Sequence, residues 1–98
     1  MARNGDDNSI PSTEAIADET AYRRYVDGEE RAANLLVEKY SDALTFYING
    51  YIRDMHEAED LMIEAFARIF AKERPLSSEG SFKAYLYKTA RHLALRHA

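Results

Sequence analysis

The chain has 98 residues, 31% of them charged and 46% hydrophobic, with a formal net charge of −4 and no cysteine. That length supports one domain around one modest core, and the lack of thiols excludes disulfides and cysteine-ligated metal centres. No apolar run approaches the ~20 residues that span a bilayer, and Asp6 and Asp7 stand where a secretory leader would carry an apolar block, so a cytoplasmic protein without membrane insertion is expected.

Residues 1–13 are polar, with Gly5, Pro11 and two aspartates, and read as a disordered tail. Residues 14–98 read as one all-α domain, a compact bundle of about four helices. The first spans Glu14 to Val26 and carries Ile16, Ala17, Tyr22, Tyr25 and Val26; Asp27-Gly28 breaks it. Asp27 with Glu30 fits a capping box for the next helix. In that helix Ala33, Leu36, Val37, Tyr40, Leu44, Tyr47, Ile48 and Tyr51 recur at spacings of three and four, the period of one buried stripe. Ser41-Asp42 is a candidate kink, and Asn49-Gly50 loosens an end expected near Arg53. Asp54 and Glu57 form a second capping box, starting a third helix at about Met55. Its inner face is Ala58, Leu61, Met62, Ala65, Phe66 and Ile69. It is expected to end near Glu73, because Pro75 disfavours helical geometry at Arg74. Leu76 to Gly80 form a loop, and Ser81 is an N-cap for a last helix. There Phe82, Leu86, Thr89, Ala90, Leu93 and Ala94 form the buried stripe. No segment alternates with period two, so no strand is predicted.

The charge is unevenly divided. Residues 1–60 carry 14 acids against 6 bases, and residues 61–98 carry 7 bases against 3 acids. A basic C-terminal third can present a phosphate-seeking face on a protein that is acidic as a whole; an excess of this size is also ordinary for a solvated helix. On the outer side of the third helix lie Asp60, Ile63, Glu64, Ala67 and Ala71. Isoleucine with two alanines, flanked by carboxylates, suits docking of a second helix, although single exposed apolar residues are common. On the last helix Ala84, Tyr87, Lys88, Arg91, His92 and Leu95 face outward, with Tyr85 on the flank. Bases interleaved with rings suit single-stranded nucleic acid, the bases tracking phosphate and the rings stacking on unpaired bases. The other reading is a cationic solvated face with the tyrosines packed partly inward.

Catalytic constellations are missing from the sequence. His92 and His97 are five residues apart, a poor spacing for one helical face, and with His56 they make no metal site. Ser77 and Ser78 have no His–acid partners. Glu57, Glu59, Asp60 and Glu64 are explained by capping and a solvated face, and there is no glycine-rich phosphate loop. Neither enzymatic activity nor a cofactor nor a metal is expected.

Two motifs resemble region 2 of the bacterial sigma-70 family, in its extracytoplasmic-function (ECF) branch. The first has the pattern A-E-D-L-x-Q-E-x-F-x-x-x-W, matched by Ala58, Glu59, Asp60, Leu61, Glu64 and Phe66, with Ile63 in place of Gln and Phe70 in place of Trp. The second, F-x-x-W-L-x-x-I-A-x-N, is matched by Phe82, Leu86 and Ala90; Tyr85 replaces Trp, Thr89 replaces Ile and His92 replaces Asn. Arg96 stands at a frequent Asp. The resemblance covers about Tyr22 to His97. It implies a transcription initiation factor domain that binds core RNA polymerase and promoter DNA. Asp60, Ile63, Glu64 and Ala67 would then face the β′ clamp helices. Ser77 and Ser78 in the loop, with Tyr85, Tyr87, Lys88, Arg91, His92 and Arg96 on the last helix, would melt and read the minus-ten element and hold a flipped base of the non-template strand. Extruding that base costs a few kcal/mol, which pocket contacts and stacking must offset. Region 4, the second domain of such factors, is expected to be absent, the chain being a fragment or a protein that lost it. The departures at Ile63, His92 and Arg96 favour an alternative: a sigma-derived helical interaction module, held by an anti-sigma factor, without sequence-specific DNA binding.

Overall fold

A computed structural model of the protein describes residues 13–72 and 81–97 and places four α-helices in chain order. They are α1 (Thr13–Val26), α2 (Arg31–Ile52), α3 (Met55–Lys72) and α4 (Phe82–His97). The described residues contain no strand, and no helix among them is long and apolar enough to cross a membrane. The expected α3 terminus at Glu73 and the loop Leu76 to Gly80 lie outside the described residues, as does the proposed tail up to residue 12.

Local chemistry sets the helix ends. Gly28, at φ +111°, takes the left-handed position that follows α1. Its N–H bonds Tyr25 O at 3.0 Å and the Glu29 N–H bonds Arg24 O at 2.9 Å, the paired closure of a Schellman motif. The Arg24 guanidinium then clasps the Glu29 carboxylate, with contacts of 2.9 and 2.5 Å. This closure corrects the expected capping box at Asp27 and Glu30. Asp27 is consumed in ending α1, and α2 begins at an N-cap Glu30 whose side chain makes no capping bond.

The helix α2 runs unbroken through Ser41-Asp42. The Ser41 hydroxyl donates to Val37 O at 2.5 Å and the Thr45 hydroxyl to Ser41 O at 2.9 Å. Both hydroxyls bond the carbonyl four residues back, a contact that a helix accommodates, often with a slight bend, without ending. The helix also passes through Asn49-Gly50 and stops at Arg53, a non-glycine residue at φ 57° whose N–H closes on Asn49 O at 2.8 Å. Asp54 then caps α3, accepting from the His56 and Glu57 N–H groups at 3.1 and 3.2 Å. At α4, Ser81 Oγ accepts from the Ala84 N–H at 3.1 Å.

The helix α2 packs against all three others, and α4 also touches α1 and α3. The buried arc of α2 is therefore wider than one stripe and includes Ala32 and Thr45, which the period of three and four did not single out. Tyr22, Leu36, Leu44, Ile48, Ile69, Phe82 and Leu86 are the largest fully buried side chains. Thr89 and Met62 sit at the edge of this core rather than within it. Buried Asp18 joins α1 to α2, paired with Lys39 Nζ at 2.7 Å and accepting from the Tyr40 hydroxyl. An enclosed carboxylate needs such partners, since breaking the pair would leave a charge uncompensated.

Candidate functional site

An α-helix turns about 100° per residue, so α3 presents Asp60, Ile63, Glu64 and Ala67 on the side opposite its buried Ala58, Leu61, Ala65 and Ile69. All four outer residues are exposed, and Ile63 leaves 61% of its surface to solvent. The Glu64 carboxylate is already engaged one turn on: Arg68 donates to its Oε2 from Nε at 3.1 Å and from Nη2 at 2.8 Å. Both side chains are about half exposed. Pairs of this kind contribute only ~0.3–0.5 kcal/mol, so a cationic partner could displace Arg68 at little cost.

The exposed bases of α4 divide between its two flanks. Toward α3 the helix borders a groove whose lining includes Arg68, Lys72, Tyr85, His92, Leu95 and Arg96. There the Lys72 ammonium lies over the Tyr85 ring, 4.6 Å from its centroid, a distance at which the ring quadrupole attracts the cation. Toward α2 stands Arg91, next to the Tyr47 and Tyr51 phenols. Those hydroxyls are 3.4 Å apart. Their hydrogen bond raises the Tyr47 phenol and lowers the Tyr51 phenol from their ordinary values, and the nearby Arg91 charge adds to the lowering at Tyr51. Lys88 is exposed.

The two ring-bearing candidates on α4 are placed differently. Tyr85 is half-buried and belongs to the groove with α3. Tyr87 turns to α2, meeting Tyr47 edge-on at 4.9 Å and Tyr40 at 6.4 Å. It packs against the core, and burial pushes its phenol up from the ordinary value. Tyr87 thus supports the α2–α4 seam while Tyr85 offers its ring to the groove. Ser77 and Ser78 lie outside the described residues.

Arg68 and Lys72 were not among the residues singled out from the sequence. Their signal was available: they are four apart, on the flank of α3 next to Glu64. Only packing against α4 reveals that this flank, rather than the outer strip at Ile63, meets Tyr85. The histidines are not drawn together. His97 Nε2 lies 3.6 Å from Glu57 Oε1, linking the end of α4 to the start of α3. Among the described residues, no three His, Asp or Glu side chains cluster as a metal site would require.

The family model described as "Sigma-70 region 2" matches residues 36–98, which take in most of α2 and all of α3 and α4. The chain is also 30% identical over 80 residues to a protein of Pseudomonas aeruginosa described as an RNA polymerase sigma-H factor. That similarity covers 82% of this chain and 42% of the relative, so the chain spans less than half of the relative's length.

Proposed function

The chain belongs to the sigma-70 family through its region 2, and from that membership we propose that it acts in transcription initiation by binding core RNA polymerase with α3 and a melted minus-ten promoter strand with α4. The polymerase contact is the strip Asp60, Ile63, Glu64 and Ala67, set against the β′ clamp helices. An exposed isoleucine beside alanines lets a second helix approach closely, and the acids meet its bases. The non-template strand follows Lys88, Arg91, His92 and Arg96, with Tyr85 as its stacking platform. The proposed role of Ser77 and Ser78 in holding a flipped base rests on the family pattern alone. Neither contact requires catalysis by the domain.

The observation that carries this reading is the Tyr85 ring, set among Arg68, Lys72, His92 and Arg96 in the groove between α3 and α4. A ring among cations meets the two needs of single-strand binding, a π-face for a base and positive charge for phosphate, and stacking contributes ~1–3 kcal/mol per base. The exposed apolar group Ile63 at a usually polar position also suits a protein partner. It supports a second reading, an interaction module held by an anti-sigma factor.

Titration with a library of single-stranded oligonucleotides at several salt concentrations, with and without a β′ clamp-helix fragment, separates the two. Sequence-selected, salt-sensitive binding is the expected result. Clamp binding without any DNA preference would favour the interaction module. In the same assay, Lys88→Ala with Arg91→Ala should flatten the slope of log affinity against log salt by about 1.4, or ~0.7 for each single-strand phosphate that is no longer neutralised. Clamp affinity should stay at the wild-type value. An unchanged salt slope would remove this pair from the strand path.

A further inference from the structure

Resting on the reading of α4 as the strand-binding helix, we infer that α1 is a splint across the break between α3 and α4, and that Glu19 is a positioning residue for promoter-strand binding. Three polar side chains along α1 end on backbone atoms at that break. The Glu19 carboxylate accepts from the Phe82 N–H at the first residue of α4, at 2.9 Å. The Tyr22 hydroxyl donates to Ile69 O at 3.3 Å and the Tyr25 hydroxyl to Phe70 O at 3.2 Å, both in the last turn of α3. The residues are three apart, so they follow one another along one side of α1. Glu19 meets an N–H in the first turn of α4, a group that its own helix cannot satisfy, and the two tyrosines meet carbonyls in the last described turn of α3.

The rings reinforce the same junction. Tyr22 lies 5.6 Å from Phe82 on α4 and 6.3 Å from Phe70 on α3, and Tyr25 lies 4.9 Å from Phe70. Apolar side chains alone would cover this part of the core equally well. Polar tips directed at backbone atoms add position: they set how far the start of α4 stands from the end of α3. Immediately beyond this junction, Lys72 of α3 meets Tyr85 of α4 at 4.6 Å. A carboxylate on a helix N-terminus is also the strongest of the three ties, being charge-assisted and aligned with the helix dipole. Glu19 thus keeps Tyr85 in register with Lys72 and holds the stacking platform and its nearest cation as one unit, although it touches neither.

The test compares the full chain with Glu19→Ala, Glu19→Gln and Tyr25→Phe. Glu19→Gln retains a neutral acceptor, and Tyr25→Phe keeps its ring and removes only the tie to α3. Glu19→Ala should bind the selected single-stranded oligonucleotide about tenfold more weakly, and Tyr25→Phe and Glu19→Gln each about threefold more weakly, the amide keeping an acceptor without its charge. Affinity for core RNA polymerase should not change in any of them. Amide hydrogen exchange provides an independent readout. Exchange at Phe82 should quicken about tenfold in Glu19→Ala while Leu44 keeps its wild-type rate. Unaltered exchange at Phe82, or equal losses of oligonucleotide and polymerase affinity, would overturn the inference. If the wild-type chain bound no oligonucleotide, the promoter-strand reading would fail and the positioning role of Glu19 with it, whereas the exchange data would still report whether α1 fastens the junction.

Discussion

Phe82→Ala should lower the stability of the domain by about 3–5 kcal/mol, the usual cost of emptying a buried phenylalanine site. The residue is fully enclosed, and its ring is met from three helices. Tyr22 of α1 lies at 5.6 Å, Tyr40 of α2 at 6.2 Å and Phe70 of α3 at 6.3 Å. The cavity would open where all four helices converge, and relaxation of one helix cannot fill it. Small domains have only ~5–15 kcal/mol to lose, so the variant should be partly unfolded at physiological temperature. Urea denaturation followed by circular dichroism measures the change. A midpoint equal to that of the wild type would show that Phe82 is not the hub the rings suggest.

Ile63→Arg should weaken polymerase binding by about thirtyfold or more, the loss typical of a central interface anchor replaced by a poorly matched side chain. Because Ile63 is 61% exposed, the folded domain has little to lose, and its stability in urea denaturation should change by less than ~0.5 kcal/mol. Affinity for single-stranded oligonucleotide without polymerase should be unchanged, since Ile63 is not among the residues of the groove around Tyr85. The combination sought is a large effect on one partner with none on the other or on stability. Equal damage to both activities would mean that one surface serves both.

The helices and most of their ends could be read from the sequence because their causes are local. Apolar spacing along α2, α3 and α4 predicts their inner faces, and Asp54 and Ser81 act as caps on amides only two or three residues away. Asp27 misled because two local patterns compete for it, the close of α1 and the start of α2, and Gly28 decides in favour of the first. What the sequence concealed is long-range. Glu19 and Phe82 are 63 residues apart and Tyr22 and Ile69 are 47 apart, and no spacing rule announces such pairs. Asp18 likewise gains its partners Lys39 and Tyr40 only when α1 and α2 pack, 21 and 22 residues apart in the chain. The candidate site follows the same pattern. Exposure of Ile63, Lys88 and Arg91 follows from periodicity, whereas the inward turn of Tyr87 and the meeting of Lys72 with Tyr85 depend on how helices pack.

The family match begins at residue 36, and α1 ends at Val26. The recognisable unit and the folding unit are therefore not the same length. A truncation at residue 36 would discard Tyr22 from the interior, wet the faces of Phe70 and Phe82, and leave the Asp18 partners facing an empty slot. Whoever trims this protein for binding studies must keep the helix that precedes the family-model match.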